Sequence, residues 1–445
     1  MMENGKFFRE ADATVSLLRQ VSPYFLQHRD SLFVIHLDGG AVERPILQNL
    51  VRDLMLLSAV GIRIIVVFGA ESLIAARLAE NNIIPQKVKE FTVFDADCMK
   101  HVKEVVGAIR LSIESSFSYV REGAPMRMGA TAKVSSGNFV LAKTKGVIDG
   151  QEMRFSGELR SLDNEGISQR LDQGEIVLVP PVGAGSSGEL FNLDSRLLAS
   201  EIAIKFQSQK LIFLHEEEEI SCDGSVIRQI GVKQAELALT AKKIEGELTK
   251  YLPIGTQCCR KGVERVHFIS YLTDGVILRE LFTRDGVGTM LSDVPFDNLR
   301  TATRADIAEI LELIKPMQEQ GMILGRNYDD LLKDLDDFIV IVREGIIVAT
   351  AALHQYAELG QGEVACVAVH HDYRGDEFGD MLLGELESRA SINKVKNLFV
   401  LTTHAADWFE ERGYSPGRKT DLPEARLKSY SNDRNSTVLI KNISN

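Results

Sequence analysis

Residues 363–383, Glu-Val-Ala-Cys-Val-Ala-Val-His-His-Asp-Tyr-Arg-Gly-Asp-Glu-Phe-Gly-Asp-Met-Leu-Leu, carry more chemistry than any other stretch of the chain. Residues 364–369 form a short apolar run rich in valine, which favours a buried strand. Phe378, Met381, Leu382 and Leu386 then recur at helical spacing. Between them, Arg374-Gly-Asp-Glu-Phe-Gly379 leaves backbone N–H groups near the start of the helix, where unsatisfied donors and the helix dipole favour a pyrophosphate. Strand, turn and helix together can hold an acyl-CoA. A single glycine-bearing turn is equally the mark of an ordinary strand–turn–helix connection, so this segment alone leaves both readings open.

The elements that must position it come from both sides. Leu398-Phe-Val-Leu-Thr-Thr403 is a second β-rich run, and it leads into Asp407-Trp-Phe-Glu-Glu-Arg-Gly-Tyr414, a short helical piece ended by Gly413. Upstream, Arg300-Thr-Ala-Thr-Arg-Ala-Asp-Ile307 is expected to begin a helix with Ile307, Ile310, Leu311 and Ile314 on one face. This order of helix, strands, central strand with turn and helix, strand, short helix and final strand resembles the GNAT acetyltransferase fold over residues 300–445.

The 445 residues suffice for two to three domains, and 44% hydrophobic residues can supply a core for each. No apolar stretch approaches the ~20 residues needed to span a bilayer. The N-terminal Met-Met-Glu-Asn-Gly-Lys-Phe-Phe-Arg-Glu lacks the apolar core of a signal peptide, so a cytoplasmic protein without membrane partners is expected. Five cysteines, two of them adjacent at Cys258 and Cys259, make neither a disulfide framework nor a metal-ligand pattern; reduced thiols and no metal are expected. A formal charge of −12 argues against nonspecific nucleic-acid binding.

In the first 290 residues, Leu-Phe-Val-Ile-His-Leu before Asp38-Gly39-Gly40 is followed by a helical pattern through Leu47, Val51, Leu54 and Leu57. Arg63-Ile-Ile-Val-Val-Phe68, Gly69-Ala70 and a helix through Leu73, Ile74 and Leu78 repeat the unit, and residues 175–182 and 210–214 look like further central strands. Successive strand, glycine turn and helix argue for a doubly wound, mostly parallel sheet. These segments resemble the amino-acid kinase family. The fold class expected is therefore α/β: an amino-acid-kinase-like domain at 1–290, a linker at 291–299 and a GNAT-fold mixed-sheet domain at 300–445. That order resembles the bacterial N-acetylglutamate synthases, with matching segments at Val134-Ser-Ser-Gly-Asn-Phe139, Gly188-Glu-Leu-Phe-Asn-Leu193, Ile269-Ser-Tyr271 and Glu280-Leu-Phe-Thr-Arg-Asp-Gly-Val-Gly-Thr289.

The resemblance implies an N-acetyltransferase that uses acetyl-CoA as co-substrate and L-glutamate as acceptor, at the entry of arginine biosynthesis. It places the thioester against Cys366, Val367, Ala368 and Val369 and the pyrophosphate over Arg374, Gly375, Asp376, Glu377, Phe378, Gly379 and Asp380. Glu377 stands where the GNAT pattern has its first glycine, and acids beside a pyrophosphate are unfavourable. Glu363 falls at the position of a general base, and it also reads as a polar residue at a strand end; Thr402 falls at that of a hydroxyl assigned to protonating the thiolate, where hydrogen bonding or relay suits a threonine better than acid catalysis. Cys366 reads as a packing residue or as the nucleophile of a ping-pong route. Leu324, Arg326, Cys366, Arg434 and Ser436 match glutamate-binding positions, with arginines suited to the two carboxylates.

Kinases of the first family carry a lysine where this chain has His36-Leu37, and Asp38 would repel phosphate, so phosphoryl transfer is not expected. The resemblance implies instead a regulatory domain for L-arginine, with His267, Glu280, Gly286 and Gly288 as the site. Glu280 and its turn also read as a surface acid and a helix end. Glu71 stands where the synthases have arginine, and Gly40 where they have an acid. A ring-like homo-oligomer is implied, a hexamer being the candidate size, with residues 15–25 packing on a neighbour. The alternatives are a GNAT enzyme for another amino acid or amine, and a non-catalytic arginine-responsive interaction protein.

Overall fold

The structure, a computed structural model, describes residues 15, 18, 21–42, 44–118, 133–217, 221–222, 225–244, 246, 248–283, 286–293, 297–343, 346–373, 377–428 and 436–443. It divides into two compact units, Met1–Val294 and Pro295–Asn445. The stretch 15–25 falls partly outside the described residues.

In the first unit the strands β1 (Leu32–Leu37), β2 (Arg63–Phe68), β3 (Val134–Ser136), β4 (Ile176–Val179), β5 (Lys210–His215), β6 (Gln229–Gly231), β7 (Arg265–Ser270) and β8 (Thr289–Ser292) form one sheet. Their order is β6-β8-β7-β5-β1-β2-β4-β3. Every pair is parallel except β7–β8. All six residues of β1 are buried, as an apolar run must be when helices cover both faces of a parallel sheet. The helices that position the polar groups discussed below are α1 (Leu47–Ala59), α2 (Glu71–Glu80), α3 (Ser195–Lys205) and α4 (Val276–Phe282). Helix α1 buries Leu47, Leu50, Val51, Leu54 and Leu57 at the spacing read from the sequence.

The second unit is a mixed seven-stranded sheet in the order β9-β10-β11-β12-β13-β15-β14. Its strands are β9 (Asp297–Thr301), β10 (Phe338–Arg343), β11 (Ile346–Tyr356), β12 (Gln361–Val369), β13 (Asn397–Thr402), β14 (Ser415–Pro416) and β15 (Thr437–Asn442). The helices are α5 (Ile307–Glu319), α6 (Tyr328–Lys333), α7 (Phe378–Ile392), α8 (Ala406–Glu410) and α9 (Glu424–Lys428). The helix expected from Arg300 starts later, because Arg300 and Thr301 end strand β9. The Asp306 carboxylate accepts from the Thr303 backbone N–H at 2.6 Å and from Arg300 at 2.7 and 2.9 Å. That cap turns the chain through Arg304–Asp306 before α5 begins at Ile307. Helix α7 buries Phe378, Leu382, Leu383, Leu386 and Ala390 against the sheet. Cys98, Cys258, Cys259 and Cys366 are buried free thiols.

Candidate active site

Strand β12 is parallel to β13 only from Gln361 to Val364; beyond that point the pairing ends. On its other side β12 is antiparallel to β11, with Ala365 opposite Ala352 and Ala368 opposite Thr350. Cys366 and Val367 thus face the single Ala351, a bulge, and Cys366 has φ +51°. A non-glycine residue in that region costs about 1–2 kcal/mol and persists only where its surroundings impose it. Divergence plus bulge leaves residues 365–369 as a backbone edge without a strand partner on the β13 side. A substrate amide can pair with such an edge, and a polarised carbonyl can accept from it.

A cavity of about 890 Å3 opens along this edge. It brings together Leu324, Arg326, Glu363, Cys366, Val367, Val369, Gly379, Thr402 and Ser436 from the sequence-derived set. Asp334, His354, Tyr356, Trp408 and Arg426 also line it, and sequence reasoning missed all five. Arg434, Arg374, Gly375 and Asp376 lie outside the described residues.

At one end, the Arg326 guanidinium donates to Asp334 Oδ2 and to His354 Nε2, both at 2.8 Å, and lies 5.5 Å from the Phe338 ring. His354 sits opposite Glu363 in the β11–β12 ladder. Arg426 Nε donates to Glu363 Oε2 at 2.7 Å, and the Tyr356 hydroxyl lies 3.4 Å from the same oxygen. Glu363 is an interior strand residue, 5% exposed, rather than one at a strand end. Burial, followed by the Glu363 charge, pushes the Tyr356 phenol up to about 12, so it keeps its proton as a donor. Burial likewise raises the Cys366 thiol above its ordinary value against the pull of Arg326. A raised thiol is a poor nucleophile, which argues against an acyl-cysteine route.

At the other end, Thr402 Oγ1 accepts from the backbone N–H of Ala405 at 2.9 Å, pinning the turn into α8 and leaving its own O–H to donate. Gly379 belongs to the first turn of α7, and a Cβ there would stand 2.9 Å from the Trp408 indole, so the close approach requires glycine. The Phe378 ring turns into the core and the Ala368 side chain is buried, which leaves their backbones for ligand contact. Glu377 is exposed at the helix start. Asp380 is not an uncompensated acid: Arg412 Nη2 donates to it at 2.9 Å while stacking 4.0 Å over Trp408. The hydrogen bond from Arg412 lowers the Asp380 pKa. A partner 32 residues away is invisible to a reading of the turn alone.

Two polar clusters among the described residues of the first unit bear on the expectations for it. In one, the Glu71 carboxylate accepts from the N–H of Ala70 (3.0 Å), the N–H of Ser195 (3.1 Å) and the hydroxyl of Ser195 (2.8 Å). It thereby sits on the N-termini of α2 and α3. Since Ser195 donates to Glu71, its oxygen accepts from His36 Nε2 at 2.8 Å, and burial lowers the His36 pKa to about 3.

In the second cluster Lys210 Nζ lies 3.4 Å from His267 Nε2, and His267 Nδ1 donates to Glu280 at 2.6 Å. The other Glu280 oxygen accepts from the N–H groups of Val287 (2.7 Å) and Gly288 (2.8 Å). Glu280 is no surface acid: its side chain is 4% exposed. Burial alone would raise its pKa, but the bonds from His267 and the two amides outweigh it and hold the pKa at about 2. Gly286 has φ +60°, and a Cβ there would stand 2.6 Å from the Glu280 carboxylate, so the turn closes only on glycine. Among the described residues no group of His, Cys, Asp or Glu could hold a metal ion, and no helix is long and apolar enough to cross a membrane.

Residues 31–270 match the Amino acid kinase family and residues 334–416 the Acetyltransferase (GNAT) domain. Amino-acid acetyltransferase of Ectopseudomonas mendocina is 40% identical over 430 residues, covering 96% of this chain and 99% of the relative. That of Azotobacter vinelandii matches at the same identity and coverage. The crystal structure of N-acetylglutamate synthase from Neisseria gonorrhoeae complexed with coenzyme A and L-arginine superposes with TM-score 0.88 at 30% identity, over 97% of this chain and 99% of that one. The same protein complexed with coenzyme A and N-acetyl-glutamate matches at 31% identity with TM-score 0.61.

Proposed function

From the premise that this chain belongs to the amino-acid acetyltransferase family, we propose the following reading of its chemistry. The protein transfers acetyl from acetyl-CoA to the α-amino group of L-glutamate, and arginine controls it through the first unit. The observation that carries the reading is the unpaired edge of β12 beside a cavity that holds a carboxylate at Glu363 and a guanidinium at Arg326.

Acetyl-CoA lays its pantetheine along residues 366–369 and its pyrophosphate at the start of α7, over residues 374–380. Glutamate enters from the Arg326 side, its carboxylates facing Arg326, Arg434 and Ser436, with Leu324 and Cys366 lining its path. Glu363 takes the ammonium proton directly or through a water. The neutral nitrogen attacks the thioester carbonyl, the backbone N–H groups at the bulge stabilise the oxyanion, and on its collapse the C–S bond breaks while the nitrogen gives up its second proton to the departing sulfur, leaving amide and coenzyme thiol. The sulfur leaves toward Thr402, whose hydroxyl donates a hydrogen bond.

The kinase-like domain, proposed at residues 1–290, has no phosphoryl-transfer role in this reading, because the N–H groups at Ala70 and Ser195 are taken by the Glu71 carboxylate. His267, Glu280, Gly286 and Gly288 form the arginine site: Glu280 takes the guanidinium in exchange for the bonds it makes to the turn, which frees the Val287 and Gly288 N–H groups for the ligand carboxylate. The protein acts in the cytoplasm as a homo-oligomer, with a hexamer as the candidate assembly.

The test is purified protein with acetyl-CoA against each amino acid, following thiol release and product mass, with and without arginine. Glutamate turnover that responds to arginine is expected. Preference for another amine, or no turnover at all, would select one of the alternatives, and ADP formation from ATP and acetylglutamate would show the first unit to be a working kinase.

A further inference from the structure

Arg326 is held from two directions by different chemistry. Asp334 pairs with it as a charge, while His354 Nε2, 2.8 Å from the guanidinium, pairs as a neutral acceptor. An arginine has donors only, so Nε2 must carry the lone pair and the proton must sit on Nδ1. That proton points at Asp337 Oδ2, 2.6 Å away. The chain of bonds therefore has a direction, from Arg326 to His354 to Asp337. A second carboxylate in place of His354 would orient the guanidinium equally well but, beside Asp334, would leave a net negative charge where a substrate carboxylate must bind. A neutral imidazole orients without adding that charge.

Position supports a role in the site rather than in the core. The His354 and Arg326 side chains are 17% and 15% exposed and both line the cavity. His354 faces Glu363 across the β11–β12 ladder, so the base and the held guanidinium are set relative to each other by one pair of strands. Asp337 ends the turn Leu335–Asp337 that leads into β10 and does not line the cavity.

We infer that His354 and Asp337 are positioning residues for acceptor recognition: Asp337 fixes the Nδ1–H tautomer of His354, which then holds Arg326 in the orientation that receives a substrate carboxylate. The inference rests on the reading of Arg326 as a ligand of the acceptor. It does not follow from packing, because packing is indifferent to which imidazole nitrogen carries the proton.

The tautomer can be reversed without changing shape. In Asp337→Asn the carboxylate that selects Nδ1–H gives way to a neutral amide, which accepts more weakly and can instead donate to Nδ1, moving the imidazole proton to Nε2 and setting a donor against the Arg326 donors. The glutamate KM should rise at least ~10-fold, with the acetyl-CoA KM within about twofold of the unsubstituted protein. His354→Leu, which removes the acceptor, should behave alike. His354→Gln offers one oxygen and one nitrogen that a side-chain flip can exchange, so it should keep most of the glutamate affinity.

The decisive comparison is Asp337→Asn in the His354→Gln background, where the tautomer no longer exists: the ~10-fold penalty should vanish. An equal penalty in both backgrounds, a parallel rise in both KM values, or no penalty in Asp337→Asn alone would overturn the inference. If the unsubstituted protein turns over glutamate, any of these results leaves the functional reading standing. If it does not, both readings fall together.

Discussion

The molecule contains the same polar arrangement twice. In the first unit Lys210, His267 and Glu280 line up as cation, neutral imidazole acceptor and carboxylate; in the second Arg326, His354 and Asp337 do the same. Their surroundings differ. Lys210 and His267 are 4% and 2% exposed, and the free oxygen of Glu280 is taken by two backbone amides. Arg326 and His354 border a cavity, and Asp334 leaves the guanidinium with further N–H groups. The first relay closes on itself and ties a helix to a glycine turn; the second ends on a surface that a ligand can reach. Hydrogen-bond pattern alone therefore does not separate a structural cluster from a binding one. What separates them is where the last donor points. A guanidinium ligand at Glu280 must compete with bonds already made by His267 and two amides, whereas an acceptor at Arg326 meets a guanidinium that keeps further N–H groups beside Asp334, His354 and Cys366.

The comparison breaks if the two units respond to substitution in the same way. The largest difference should come from Glu363→Gln, which keeps shape but removes the base: kcat should fall by ~10²–10⁴-fold with little change in acetyl-CoA affinity. A kcat within a few-fold of the unsubstituted protein would remove Glu363 from the chemistry. In the first unit Glu280→Gln should act on stability instead. The Glu280 pKa falls from 4.5 to about 2 on folding, so the ionised carboxylate stabilises by on the order of 3 kcal/mol above its unfolded pKa. This contribution is whole above about pH 4.5 and is lost as pH falls toward 2. Denaturant unfolding should show the gap between the two proteins narrowing over that range; a gap independent of pH would mean that the relay is not ionised as drawn.

Arg326→Ala sharpens the contrast from the other side. Removing one charge-assisted contact of ~1.5–3 kcal/mol should lower kcat/KM for glutamate at least ~10-fold while the unfolding temperature stays near that of the parent. A large loss of stability with unchanged kinetics would make it a structural cation like Lys210. Thr402→Val should give the smallest effect and a mixed one, because its oxygen holds the Ala405 amide while the residue lines the cavity. We expect about 1 kcal/mol of stability and less than a tenfold loss in kcat; a loss as large as that of Glu363→Gln would promote it to the essential acid.

Much of this architecture is legible along the chain. Apolar runs such as Leu32–Leu37 and the spacing of Phe378, Leu382 and Leu386 announce strands and helices, because burial on one face or two repeats with the period of the element. Glu363, Cys366, Val367 and Gly379 were within reach for the same reason: they belong to one continuous strand–turn–helix segment, so their proximity is local. The fate of individual charges was not legible. Asp380 looked hostile to a pyrophosphate until the fold brought Arg412 to it, and Glu280 looked equally suited to the surface until the turn at Gly286 closed over it.

Sequence by itself thus determined the order of elements, the two units' fold classes and the stretch proposed to carry the acyl-donor chemistry, since each depends on residues near one another in the chain. Tertiary structure alone decided which polar groups are already paired. His354 meets Glu363 through antiparallel register, Arg426 reaches the same carboxylate from 63 positions away, and Asp337 reaches His354 across a turn and a strand. No local period marks such residues. Their types are common and their partners are chosen by register and packing, so the electrostatics of the cavity exists only once the sheet has formed.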